Sequence, residues 1–81
     1  MTVRVQLFAV ARQLAGADAV ELELAGGATV GDLRRALALQ VPALAGLIGQ
    51  MLFAVNAQYA ADDAILPPGA DAACIPPVSG G

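Results

Sequence analysis

The residues with the clearest chemical potential are the last two of the 81-residue chain, Gly80 and Gly81. A carboxylate on two residues without side chains can enter a channel too narrow for a Cβ, and glycine adopts backbone geometries that other residues avoid. The segment before them, Ile75-Pro76-Pro77-Val78-Ser79, contains two prolines, which favour an extended backbone. The sequence therefore predicts a flexible tail, residues 76–81, that presents its terminal carboxylate to a partner's active site.

The rest of the chain offers little chemistry of its own. Histidine is absent and Cys74 is the single cysteine, which excludes histidine-based catalysis, an internal disulfide and multi-cysteine metal centres. Cys74 lies between two apolar residues with no basic neighbour, a setting typical of a buried structural thiol. We therefore expect the chain to bind no metal and no cofactor, and to have no enzymatic activity alone.

Charge and hydropathy narrow the possible partners. The four basic residues are arginines scattered along a chain of net charge −3, too few for the basic patch that nucleic-acid binding requires. Residues 36–61 carry no charge, but a proline, two glycines and several amides interrupt them, so they do not indicate a membrane span. The start of the chain lacks a signal-peptide pattern, and we expect a cytoplasmic protein.

Because only 14% of residues are charged, some apolar surface should remain uncovered and suit a protein interface.

Two strands are predicted at the start of the domain that carries the tail. Apolar residues alternate with polar ones across residues 2–8 and again across 20–24, the period-two pattern of half-buried strands. Between them, residues 9–15 permit a short helix, which Gly16 would end.

A main helix is predicted to begin near Val30. Two consecutive glycines break the chain just before it, and Thr29 with Asp32 resembles a capping box. Apolar residues then recur every three or four positions, which places Arg34 and Arg35 on the opposite side of the helix.

Shorter elements complete the domain. Pro42 ends the main helix, and a second short helical piece is expected up to residue 48. Residues 51–55 indicate a buried strand, and a turn then leads to a short strand around Tyr59. Residues 62–66 suggest a loop with one helical turn, and residues 71–75 a final strand.

Two strands, a helix and then shorter strands is the order of an α+β β-grasp fold, with one main helix across a small mixed sheet. The expected organisation is a β-grasp domain over residues 1–75 and an extended tail over residues 76–81.

Several motifs also carry a family resemblance. They are Leu7-Phe8-Ala9 with Leu14-Ala15-Gly16, Gly27-Ala28-Thr29-Val30 with Leu33, Pro42-Ala43-Leu44, Ala54-Val55-Asn56, and Ile75-Pro76-Pro77-Val78-Ser79-Gly80-Gly81. On these motifs, and above all on the last, the chain resembles nearly end to end the small sulfur-carrier subunit of molybdopterin synthase, a ubiquitin-like β-grasp family. It departs from the family at residues 70–74, which are alanine-rich, and at Ala57, where the family often has glycine.

The resemblance implies a carrier role for Gly81. Its carboxylate would be adenylated by an E1-like partner that uses ATP, and then converted to a thiocarboxylate with sulfur from a donor protein. The tail residues Pro76, Pro77, Val78, Ser79 and Gly80 would insert into the large catalytic subunit of molybdopterin synthase, within an expected heterotetramer. There the thiocarboxylate would donate its sulfur to a pterin precursor, so that this chain acts as the sulfur-donating subunit of a sulfurtransferase complex.

Other functions remain open at this stage. A Gly-Gly tail on a β-grasp domain also suits a sulfur carrier for another pathway, such as thiazole synthesis for thiamine, although the Pro-Pro-Val-Ser spacer favours the molybdenum route. A ubiquitin-like modifier would instead join Gly81 to lysines of target proteins. A plain interaction domain would have an inert tail. The chain itself contains no lysine, so its own side chains could not capture an activated tail.

Overall fold

A five-stranded mixed sheet with one long helix across it makes up the fold. The computed structural model describes residues 1–77. The elements in chain order are β1 (Thr2–Leu7), α1 (Val10–Ala15), β2 (Ala19–Glu23), α2 (Val30–Gln40), β3 (Leu52–Val55), β4 (Gln58–Tyr59) and β5 (Asp71–Ile75). In place of one helical piece after Pro42, two 3₁₀ turns, Pro42–Leu44 and Ile48–Gln50, connect α2 to β3. No helix within residues 1–77 is both long enough and apolar enough to cross a membrane.

The strands lie in the order β2-β1-β5-β3-β4. β1 and β5 run parallel, whereas the pairs β1–β2, β3–β5 and β3–β4 are antiparallel. β5 therefore occupies the centre of the sheet, with a paired strand on each side. This topology confirms the predicted β-grasp fold.

The hydrophobic core lies between the inner face of the sheet and α2 with its connecting segments. Its largest fully buried side chains are Phe53, Leu22, Leu33, Leu37, Leu44, Leu66, Val3, Val5, Val30 and Cys74. Each large apolar side chain removed from water in this way contributes about 1.5–3 kcal/mol. Cys74 belongs to this core, which confirms the predicted buried thiol.

The start of α2 is fixed by the predicted capping box. The Asp32 N–H donates to Thr29 Oγ1 at 3.2 Å, and the Thr29 N–H donates to Asp32 Oδ2 at 2.9 Å. Two further amides of this first turn, those of Val30 and Gly31, donate to the carbonyls of Ala64 and Asp62, both at 2.9 Å. These bonds satisfy amides that a helix leaves unpaired at its start.

The helical turn predicted within residues 62–66 is wrong. The segment forms a hydrogen-bonded turn followed by an isolated bridge between Ile65 and Thr29. The cause lies in the capping of α2, because carbonyls in this segment accept hydrogen bonds from the first turn of α2 instead of bonding along their own segment.

The predicted outward position of Arg34 is also wrong. Its side chain is only 19% exposed, and Nη1 donates to the carbonyls of Ile48 at 2.6 Å and Met51 at 2.8 Å. Nη2 bonds to Asp62 Oδ1 at 2.8 Å, and the guanidinium carbon lies 4.8 Å from the centroid of the Phe53 ring. Arg34 therefore joins α2 to the segment before β3 and to the loop that caps α2.

Candidate functional site

The described part of the predicted tail leaves from the centre of the sheet. β5 ends at Ile75, which pairs with Leu52 on β3, while Cys74 pairs with Leu7 on β1. Pro76 follows directly and is half-buried, and Pro77 is exposed. The base of the tail is thus held on two sides by paired strands. The remaining predicted tail residues, Val78, Ser79, Gly80 and Gly81, lie outside the described part of the chain.

Next to the tail base, the outer face of the sheet carries an apolar patch. We define this outer apolar patch by Phe8, Leu52, Tyr59, Ala73 and Ile75. Three of its four large members, Phe8, Leu52 and Tyr59, are 44%, 42% and 69% exposed. The uncovered face of an antiparallel sheet usually carries polar side chains, and a contiguous exposed apolar area marks an interaction surface. The patch therefore fits a protein partner that approaches the tail base.

A shallow groove runs through the outer apolar patch. Phe8, Tyr59 and Ile75 line it together with the small residues Ala54 and Ala73. In the sheet register, Ala54 lies opposite both Ala73 and Tyr59. Alanine at adjacent positions of neighbouring strands leaves room between the larger side chains, and a side chain of a partner could occupy that space.

The opposite end of the outer face is charged instead of apolar. Arg4 lies in register with Glu21 on one side and Asp71 on the other. A second charged pair lies at the patch end of the sheet, where Arg12 and Asp18 form a long ion pair of 3.9 Å near Phe8, with both side chains largely exposed. Exposed pairs of this kind contribute little stability but can orient a charged partner.

The Cys74 thiol is buried in the core. Burial raises the pKa of the Cys74 thiol to about 11, an effect that the nearby positive charge of Arg34 only partly opposes. The thiol is therefore protonated at neutral pH and unsuited to nucleophilic attack. Within the described residues, no cluster of three His, Cys, Asp or Glu residues could hold a metal ion.

The sequence indicated that apolar surface would stay uncovered, but it did not identify which residues form it. A usable signal was present at Phe8. Arg4 and Gln6 occupy the solvent-facing positions of β1, and Phe8 continues their alternation. A large aromatic residue at the next such position is unexpected for a solvated face, and it points to an interface.

Two curated relatives are molybdopterin synthase sulfur carrier subunits. The protein from Arabidopsis thaliana is 35% identical over 79 residues, which cover 98% of this chain and 82% of the relative. The protein from Chlamydomonas reinhardtii is 36% identical over 83 residues, which cover 100% of both chains.

The fold is shared with solved structures as well. The crystal structure of SAMP1 from Haloferax volcanii matches with a TM-score of 0.88 and 32% identity, covering 100% of both chains. The family profile that matches this sequence, over residues 5–81, is that of the ThiS family. The resemblance that the sequence motifs indicated is thereby confirmed, and the chain belongs to the ThiS family of ubiquitin-like β-grasp proteins.

Proposed function

We propose that this protein is the sulfur carrier subunit of a molybdopterin synthase, with the terminal carboxylate of Gly81 as its reacting group. The observation that carries this proposal is the similarity, over 98% and 100% of the chain, to two molybdopterin synthase sulfur carrier subunits. The family match extends to Gly81 itself. The outer apolar patch beside the tail base supports the same assignment, because a carrier must dock on the proteins that load and unload it.

The proposed chemistry begins with activation of the carboxylate, which is a poor electrophile. A carboxylate oxygen of Gly81 attacks the α-phosphorus of ATP bound by an E1-like partner, and pyrophosphate leaves. The terminal sulfur of a persulfide on a donor protein then attacks the carbonyl carbon, and AMP leaves. A thiol cleaves the resulting acyl disulfide, forms a disulfide with the donor cysteine, and releases the thiocarboxylate.

The large synthase subunit is proposed to cover the outer apolar patch while the tail enters its active site. Residues 76–81 can span at most roughly 20 Å, so the acceptor site must lie within that distance of Ile75. Pro76 and Pro77 restrict the free tail to extended conformations, which lowers the entropy lost on insertion. A dimer of large subunits with one carrier on each would form the heterotetramer that the family resemblance implies.

Intact-mass measurement tests the carrier assignment directly. The purified protein is incubated with ATP, the activating enzyme, a persulfide donor and a thiol reductant, and we expect one oxygen of Gly81 to be replaced by sulfur. A matched variant with one residue added after Gly81 should keep its fold and gain no sulfur, because its carboxylate is displaced from the active site. An unchanged mass of the natural chain, with an activating enzyme proven competent on another carrier, would contradict the assignment.

A second candidate function is protein modification. The observation that favours it is the 32% identity to SAMP1 of Haloferax volcanii, a small archaeal modifier protein. In that case the activated Gly81 would form isopeptide bonds with lysines of other proteins. Mass spectrometry of digested cell extracts separates the two functions, since a modifier leaves target lysines joined to a C-terminal fragment of this chain that ends in Gly81, and a carrier accumulates as free thiocarboxylate.

A further inference from the structure

The hydrogen-bond ladder between β1 and β5 stops at one identifiable bond. The two strands are in register at Gln6–Ala73 and Leu7–Cys74, and the Phe8 N–H donates to the Cys74 carbonyl at 3.2 Å. In a parallel pair, a residue that donates to one neighbour accepts through its own carbonyl from the residue two positions further along. The next bond would therefore run from the N–H of residue 76 to the Phe8 carbonyl. Residue 76 is proline, which has no N–H.

The Phe8 carbonyl, which would accept this missing bond, already accepts a different hydrogen bond. The Phe8 carbonyl accepts the Ala11 N–H at 3.1 Å, at the start of α1. The backbone of Ala9 turns the chain away from β5 with a φ of 51°, in the region that favours glycine. β1 thus leaves the sheet at the same level at which Pro76 ends the pairing of β5.

On the β3 side of β5, strand pairing ends for a different reason. Ile75 pairs with Leu52, so residue 77 would face Gln50 if the antiparallel ladder continued. Gln50 belongs to the 3₁₀ turn Ile48–Gln50, so its backbone is not in the extended conformation that a ladder with residue 77 would require. Strand pairing on this side ends whatever residue stands at position 77. Pro76 and Pro77 therefore have different structural consequences.

We infer that Pro76 is a positioning residue: because it lacks the N–H that would donate to the Phe8 carbonyl, it ends the β1–β5 ladder and keeps the base of the tail, residues 76 and 77, off the sheet and available to partners. Pro77 does not share this role. β5 is a central strand, so a residue with an N–H at position 76 would have an acceptor within the same sheet. Its bond to Phe8 would hold the tail base against β1, and a partner would have to break that bond before drawing in the tail. The effect on transfer rests on the proposed carrier function, whereas the effect on pairing does not.

Hydrogen exchange of the variants P76A and P77A tests the pairing. In P76A, we expect the amide of residue 76 to exchange roughly five- to tenfold more slowly than in an unstructured peptide, as one added hydrogen bond implies. In P77A, the amide of residue 77 should exchange at the unstructured rate. Exchange of residue 76 in P76A at the unstructured rate would overturn the inference.

Sulfur transfer with the large subunit tests the consequence for function. We expect P76A to transfer sulfur several-fold more slowly than the natural chain, because only the fraction of molecules with a free tail can react, and more slowly than P77A, which loses a proline of the same tail without gaining this hydrogen bond. A semisynthetic chain with N-methylalanine at position 76 lacks both the proline ring and the N–H, and it should match the natural chain. The positioning role of Pro76 would be overturned if the N-methylalanine chain transferred sulfur as slowly as P76A. It would also be overturned if the amide of residue 76 in P76A exchanged slowly but P76A still transferred sulfur at the natural rate. If the natural chain itself accepts no sulfur, the carrier function fails, and the exchange measurement still decides whether Pro76 ends the ladder.

Discussion

The two faces of the sheet both carry large apolar side chains, but they use them differently. On the inner face, Phe53 is 1% exposed beneath α2. On the outer face, Phe8 is 44% exposed beside the tail base. Burial of the inner residues stabilises the domain, whereas the outer residues stay in contact with water until a partner covers them. The inner-face residues therefore maintain the fold, whereas the outer-face residues are available for binding. Substitutions on each face can test this distinction.

The largest effect is expected on the inner face. Replacing Phe53 with alanine removes a fully buried ring and the contact with Arg34, and should cost about 3–5 kcal/mol of unfolding free energy. Urea denaturation measures this loss. The matched control is Tyr59→Ala, because Tyr59 lies on the outer face and is 69% exposed. The unfolding free energy of this variant should fall by no more than about 0.5 kcal/mol. Equal losses in the two variants would remove the distinction between the faces.

On the outer face, the effect should appear in binding instead of stability. Phe8→Ala removes an aromatic side chain from the outer apolar patch, and we expect its affinity for the large synthase subunit to fall at least tenfold, about 1.4 kcal/mol or more. Isothermal titration calorimetry measures the affinity, and denaturation verifies that the variant is folded. Leu39→Ala is the matched control, since Leu39 is 83% exposed on α2 and away from the patch. If Leu39→Ala weakened binding as much as Phe8→Ala, the docking surface would be misplaced.

The features that could be predicted from the sequence are those determined by short-range pattern. Alternation gave β1 and β2 to within a residue at each end, and the spacing of Thr29 and Asp32 predicted the hydrogen bonds that begin α2. The order of these elements was sufficient to predict the β-grasp fold. The tail was also recognised by its composition, because two glycines after two prolines form a local signal.

The features that escaped prediction depend on residues distant in the chain. Helical spacing placed Arg34 on the solvent side, yet its long side chain reaches carbonyls 14 and 17 residues away. The segment 62–66 does not form a helical turn, because its carbonyls accept from the first turn of α2, about 30 residues earlier in the chain. The outer apolar patch likewise combines residues of β3, β4 and β5 with Phe8, which directly follows β1, and no single segment of sequence reveals it.

A smaller effect concerns the hairpin that carries Tyr59 of the outer apolar patch. Asn56 and Ala57 connect β3 to β4 with φ values of 49° and 69°, the geometry of a two-residue type I′ turn, which favours Asn-Gly. Ala57→Gly should therefore stabilise the domain by about 1 kcal/mol, measured as a rise in melting temperature. Ala54→Gly is the matched control in the neighbouring strand, and it should destabilise, since glycine weakens a strand interior. A loss of stability in Ala57→Gly would show that the turn is not strained.

The smallest effect belongs to the helix that covers the inner face, and it depends on pH. The backbone hydrogen bond from Thr29, assisted by the Arg35 side chain, lowers the pKa of Asp32 below its ordinary value of 3.8. A carboxylate with a lowered pKa in the folded state contributes stability that is present in full above its unfolded pKa and is lost as the pH falls through the folded pKa. Asp32→Asn keeps an acceptor for Thr29 but removes the charge, so the difference in unfolding free energy from the natural chain should be greatest at neutral pH and shrink below pH 3.8. Urea denaturation across this range measures the difference. A difference independent of pH would mean that the geometry of the side chain, and not its charge, is what matters at the start of α2.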